Sequence, residues 1–282
     1  MIKIISDSTC DLSKELLEKY DIDILPLHVH LDDKEFQDGV TITPDEIYKW
    51  SDENNTTPKT SAMSVVECIE LFNKYLNDGN EIICFSVSEK MSSANQVMRM
   101  AVFELEAEDK IHVINSDNLS TGIGLLIIEA ALMCKNGKSA LEIVDTIESL
   151  KKNVRSSFVV DTLTYLHRGG RCNSIAALTG SMLKLHPKIV VEDGKMNASK
   201  KYRGKMSSVI KLYINDLEED LKDSKTDRVF ITHSGCNKQI IDEVYQYLDE
   251  LNIFKEILVT QAGAVISSHC GPGTLGVLFI SK

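Results

Sequence analysis

Short apolar blocks at residues 2–5, 81–87 and 111–114 each end in a polar turn, and each turn runs into a segment with the spacing of a helix. The blocks have strand length. Residues 14–20, the stretch up to 106 and residues 125–133 read as the helices that follow them. This repetition predicts a parallel sheet with helices on both faces. Its polar turns then gather at the carboxyl edge of the sheet, where such proteins hold ligands. Residues 22–30 read as a further strand with His28 and His30 on one face. Thr43-Pro44-Asp45-Glu46 starts a helix, with a cap, a proline at N1 and acids in the first turn. After a polar loop over 51–59, Ser64 and Glu67 form a capping-box pattern for a helix from 65. That accounts for Ser64 and leaves Thr60 and Ser61 free.

The pattern changes in the second half. A helix over 139–153 leads to a strand over 155–160, and a domain boundary is placed there. Gly169-Gly170 stops a short helix and projects Arg168 and Arg171, which are either solvated or an anion or partner contact. A helix from 178 is followed by a strand over 188–191, then an Asp193-Gly194 hairpin turn and a basic cluster over 200–205. Strands over 228–233 and 256–261 flank a helix over 237–251. The hairpin signal, missing earlier, predicts an α+β second domain with a mixed or antiparallel sheet. Near the end, Ala264-Val265-Ile266 gives way to Ser267-Ser268-His269-Cys270, then Gly271-Pro272-Gly273 and a last apolar run. This reads as a strand or the start of a helix, a polar edge, a tight turn and a final strand, with His269 at the rim.

Composition narrows the function classes. The 282 residues are 43% apolar and 26% charged, which is ample for a core. A net charge of −11 argues against nucleic acid and anionic membrane surfaces as partners. No apolar run approaches the roughly 20 residues of a membrane span. Seven scattered cysteines without a CxxC pair, and no signal peptide after Met1, place the chain in a reducing cytoplasm with free thiols. A monomer is expected.

The residues able to do chemistry are the hydroxyls of Thr60, Ser61, Ser92 and Ser93, the imidazole of His269 and the exposed arginines. Asp7, Ser8 and Thr9 either face a ligand or cap the turn they form. The His28-x-His30 pair lacks a nearby third metal ligand, and no GxSxG elbow, Walker loop or other cofactor motif is present. Gly122 and Gly124 open a helix, as a phosphate loop or, without the full GxGxxG spacing, for close packing. Ser92 or Ser61 with His269 would make a hydrolase dyad. The same groups also suit holding a carboxylate, each bond to the charged acceptor contributing about 1 to 3 kcal/mol. An apolar tail would then dominate affinity, at about 0.8 kcal/mol per buried CH₂.

Five strings, Asp7-Ser8-Thr9-Cys10-Asp11-Leu12, Lys59-Thr60-Ser61, Met91-Ser92-Ser93, Gly169-Gly170-Arg171 and His269-Cys270-Gly271-Pro272-Gly273, occur in the order that resembles the DegV family of bacterial fatty-acid-binding proteins. The resemblance runs along nearly the whole chain. It implies an α/β fold with an N-terminal three-layer α/β/α domain, 1–157, and a C-terminal two-layer α/β domain with a mixed sheet, 158–282. A long-chain fatty acid would lie between them. The resemblance also implies a carboxylate site in which Thr60, Ser92 and His269 hold the family's head-group positions, with Ser61 and Ser93 beside them. It implies a fatty acid kinase as partner, no catalysis by the carrier itself, and a role for Arg171 and Arg203 at the partner or head-group region. The chain departs from the family pattern in two places. Thr60-Ser61-Ala62-Met63 stands where Thr-Ser-Gln-Pro is usual, and Met91-Ser92-Ser93-Ala94 where Leu-Ser-Gly-Thr is usual. The lost glycine bears on the turn that carries Ser92.

Overall fold

The computed structural model describes residues 1–172 and 185–282, so the helix expected from 178 lies outside the described residues. The chain opens with β1 (Ile2–Asp7), α1 (Lys14–Tyr20), β2 (Ile22–Leu25), β3 (His28–Leu31) and β4 (Lys34–Gln37). α2 (Pro44–Asn54), β5 (Lys59–Ser61), α3 (Val65–Leu76), β6 (Glu81–Ser86), α4 (Ala94–Glu104) and β7 (Ile111–Asn115) follow. Two helices, α5 (Thr121–Lys135) and α6 (Ala140–Leu150), lead into β8 (Val154–Val159), α7 (Thr164–Gly169), β9 (Leu185–Glu192) and β10 (Lys195–Arg203). The chain closes with α8 (Met206–Asn215), α9 (Glu218–Lys222), β11 (Arg228–Ser234), α10 (Lys238–Glu250), β12 (Glu256–Gln261), α11 (Ala264–Cys270) and β13 (Thr274–Ile280).

The N-terminal sheet runs β2-β1-β6-β7 and is parallel throughout. α3 and α4 cover one face, and α5 and α6 pack on the other, with α1 against β2 and α5, which gives the three layers expected. The C-terminal sheet runs β10-β9-β8-β13-β11-β12. It is antiparallel except for the β11–β12 pair, hence mixed. Side chains on β13 alternate as a pleated strand requires. Leu275, Val277 and Phe279 join a core with α8 and α10, while Leu278 and Ile280 join the other core, which contains α5.

α5 lies between the two sheets and contacts β1 and β6 on one side and β8 and β13 on the other. Its sequence is apolar all round, as a helix buried on every side must be. Its one acid in the buried stretch, Glu129, pairs with Arg228 of β11, so the charge is not left alone in the interior.

Residues 22–30 do not form one strand. Pro26 has no N–H to extend the ladder, and the chain leaves the N-terminal sheet there. β3 instead centres a small antiparallel sheet, β4-β3-β5, that the hydrophobic pattern did not reveal. Part of the segment read as polar loop is therefore strand β5, which carries Thr60. The capping box at Ser64 and Glu67 forms as expected.

Gly122 and Gly124 serve packing. A Cβ on Gly122 would press on Asn118 Oδ1 and lie 2.5 Å from Ser156 Oγ, and one on Gly124 would lie 2.7 Å from Leu12. Alanine at 122 gains up to about 1 kcal/mol of helix propensity, but overpacking costs about 1 to 3 kcal/mol. Gly122→Ala is therefore expected to lower the urea midpoint, and a midpoint at or above that of the wild type would refute the packing role.

Candidate functional site

α11 resolves the strand-or-helix choice at the end of the chain in favour of a helix, and two buried carboxylates hold its start. The N–H of Gly263 donates to Asp11 Oδ1 at 2.8 Å, and that of Ala264 donates to Asp38 Oδ1 at 2.6 Å. The first amides of a helix have no partner inside it, so acids placed there supply both hydrogen bonds and favourable charge. Ser120 Oγ donates to the second oxygen of Asp11 at 2.5 Å, and Ser8 Oγ to that of Asp38 at 2.8 Å. Burial raises the pKa of both carboxyls, that of Asp11 well above its ordinary range. Asp7 likewise accepts from Thr9 and from the Val87 N–H, so it serves as a cap, and burial lifts its pKa to about 6.

Held this way, α11 brings His269 to β5. His269 Nε2 lies 2.8 Å from Thr60 Oγ1. Thr60 is fixed in turn by pairing of β5 with β3, where it stands opposite Val29. The ring's other nitrogen, Nδ1, is shut off from solvent, has no hydrogen-bond partner among the described residues and packs against Gly169, where a Cβ would collide with it. Burial, and then the Arg171 guanidinium, lower the pKa of His269 to about 4, so the ring is neutral near pH 7. A neutral imidazole carries one proton. An unpaired buried N–H costs more than an unpaired lone pair, which places the proton on Nε2. His269 then donates to Thr60, and the Thr60 O–H is free to donate elsewhere.

It faces a cavity of about 100 Å³. Thr60, Ser61, Ser92, Ser93, Arg171 and His269 all line it, and Leu27, Val87, Met91, Met196, Val265 and Ile266 supply apolar wall. The Ser61 hydroxyl is engaged by His30 Nε2 at 2.8 Å. Ser92 Oγ accepts from the Ala94 N–H at the start of α4, which leaves its own proton available. Ser93 stands where the family pattern has glycine, yet its φ of −81° is ordinary, so the turn does not require glycine. Arg171 donates to the carbonyls of Gly169 and Met91, and no ion pair to a carboxylate occurs among the described residues. Arg203 is elsewhere: it lies on β10 and lines an open cleft of about 530 Å³ with Lys200, Lys201 and Asp216, sharing no residue with the cavity.

Ser92 and His269 line the same cavity, but the imidazole is bonded to Thr60 and the Ser92 oxygen to a backbone amide. His28 Nε2 meets Glu67 at 3.0 Å and His28 Nδ1 meets Glu35 at 3.3 Å. Among the described residues no three His, Cys, Asp or Glu side chains form a group fit for a metal ion. Among them, too, no helix is long and apolar enough to cross a membrane. Sequence reasoning missed Asp38 altogether, because Gln37-Asp38-Gly39 reads only as a turn.

The model of the family described as "Uncharacterised protein, DegV family" matches residues 1–282. A DegV domain-containing protein of Clostridium perfringens is 33% identical over 281 residues, covering 100% of this chain and 99% of that one. The chain belongs to the DegV family. Among solved DegV-like structures, a fatty-acid-binding DegV family protein from Thermus thermophilus superimposes with a TM-score of 0.92 at 27% identity, covering 100% of this chain and 99% of that one. A stearic acid-binding protein from Eubacterium ventriosum superimposes with a TM-score of 0.87 at 31% identity and the same coverage.

Unfolded histidine titrates near 6.5 and folded His269 near 4, so between these values the unfolded chain binds more protons. The contribution of this group to stability is complete above pH 6.5 and erodes as pH falls toward 4. Ring NMR resonances of His269 are therefore expected to stay unchanged from pH 8 down to about 5.5. A midpoint near the ordinary histidine value would contradict the neutral donor assigned here.

Proposed function

We propose that this protein is a fatty-acid carrier. It holds a long acyl chain between its two domains, 1–157 and 158–282, with the carboxylate at Thr60, Ser92 and His269. It presents that carboxylate to a fatty acid kinase for acyl-phosphate formation. The carrier itself performs no catalysis and acts as a cytoplasmic monomer. The observation that carries this reading is the Thr60–His269 pair, 2.8 Å apart, on the wall of a largely apolar cavity. Further support comes from the related proteins of Thermus thermophilus and Eubacterium ventriosum, whose ligands are a fatty acid and stearic acid.

The physical logic is a division of labour. Neutral hydroxyls, that of Thr60 oriented by the His269 N–H, recognise the carboxylate without trapping it in a buried ion pair, and Arg171 adds a cation at the same cavity. Burial of the tail supplies most of the affinity, at about 0.8 kcal/mol per CH₂, against ordering costs that take back part of it. A carboxylate held by hydrogen bonds keeps a lone pair for attack on a phosphoryl donor. Arg171 is the cation placed to meet the product's added charge.

Protein purified from cells and denatured before mass spectrometry is expected to release a fatty acid in near one-to-one amount. Without the His269 N–H, the Thr60 hydroxyl is no longer aimed at the carboxylate, and a hydrogen bond to a charged acceptor is worth about 1.5 to 3 kcal/mol. His269→Ala is accordingly expected to weaken fatty-acid binding by about tenfold or more. Absence of any bound or exchangeable fatty acid in the wild type would end the carrier reading, and unchanged affinity in His269→Ala would remove His269 from the head-group site.

A further inference from the structure

A second, smaller cavity of about 30 Å³ adjoins the first. It is bounded by Phe158, Thr232, Ser234, Thr274, Gly276 and Leu278. Leu119, Ile266 and Cys270 line both cavities, so these three side chains stand at the neck between them. Ile266 and Cys270 are one turn apart on α11 and face the same way. Leu119 stands on the loop that enters α5.

The inner chamber has hydroxyl residues in its wall, yet each hydroxyl is occupied. Thr232 pairs with Thr121 and Thr260, Ser234 with Tyr48 and Ser267, and Thr274 donates to the Cys270 carbonyl. Ser120, also in this wall, donates to Asp11. Apart from His233, whose buried Nδ1 has no hydrogen-bond partner among the described residues, what remains for an occupant is hydrocarbon surface, which suits the tail end of an acyl chain better than its head.

Both walls of the neck are tied to one carboxylate. Asp11 Oδ1 accepts from Gly263 N–H at 2.8 Å, which anchors the start of the helix bearing Ile266 and Cys270. Asp11 Oδ2 accepts from Ser120 Oγ at 2.5 Å, next to Leu119. Ser120 adopts φ 53° and ψ −145°, a backbone region costly for any residue with a side chain. Such a conformation persists only where its surroundings impose it, and the bond to Asp11 is the side-chain tie that does so.

We infer that Asp11 is a positioning residue that sets the aperture of the neck, and through it the cross-section of the acyl tail this carrier accepts. The inference rests on the carrier reading and adds a selectivity to it. The terminal carbon of a straight chain passes Leu119 and Ile266 into the inner chamber, whose volume of about 30 Å³ admits little more, and bulky-ended chains are turned back.

The test compares hexadecanoic acid with an ω-cyclohexyl acid of equal carbon number, each displacing a fluorescent fatty acid from the full-length protein. The wild type is expected to prefer the straight chain by about tenfold or more. Asp11→Ala, which releases Ser120 and leaves α11 only its Asp38 tie, is expected to bring the ratio to within about threefold. Asp11→Asn keeps an acceptor for Gly263 and a polar partner for Ser120, and is expected to retain the wild-type ratio. A merely structural role would lower the melting temperature of Asp11→Ala and leave the ratio alone. That result, or a wild type without preference, overturns the inference. Should Asp11→Ala fail to fold, Leu119→Ala and Ile266→Ala widen the neck directly, and an unchanged ratio in both overturns it equally. A wild type that binds neither acid removes the carrier reading itself, a result distinct from binding without selectivity.

Discussion

The structure depends on one helix having no polar side to offer. α5 is apolar around its circumference, so the only stable place for it is between two surfaces that are themselves apolar. The parallel sheet covers one flank and the mixed sheet the other. This brings the carboxyl-edge turns of the first sheet next to the end of the chain. The cavity lies where those turns meet α11, and its walls come from both halves of the sequence.

Within that frame, charge is used sparingly. The carboxylates at the centre are consumed in holding backbone amides: Asp7 the Val87 N–H, Asp11 that of Gly263, Asp38 that of Ala264. The groups left to face a ligand are hydroxyls, a neutral imidazole and one guanidinium at the cavity wall. Such a site can grip an anion and still release it, because no buried opposite charge would be stranded by its departure.

The strands and helices of the parallel unit were legible because each apolar block is bounded by turn chemistry, and the tertiary setting agrees with the local preference. The β4-β3-β5 sheet was not. Its strands are three or four residues long and rich in Lys, Glu, His and Gln, so pairing and not burial defines them. A three-residue apolar run fits either period, so the local pattern does not decide that α11 is a helix. Thr60, Ser92 and His269 were picked out by residue type and by their turns. The support beneath them was hidden, since Asp38 reaches Ala264 across 226 residues of chain, a distance at which no local pattern speaks. Arg203 comes into view through the family resemblance, and strand β10 carries it to a different cleft.

Sharing one helix between two sheets also limits how a guest enters. Swinging the halves apart like a clamshell would peel α5 from one of its partners and bare an apolar flank to water, along with the Glu129–Arg228 pair. That cost falls on the whole molecule, whereas moving a few side chains and a turn at the rim costs far less. On the carrier reading, a route through the rim leaves α5 in place between both sheets.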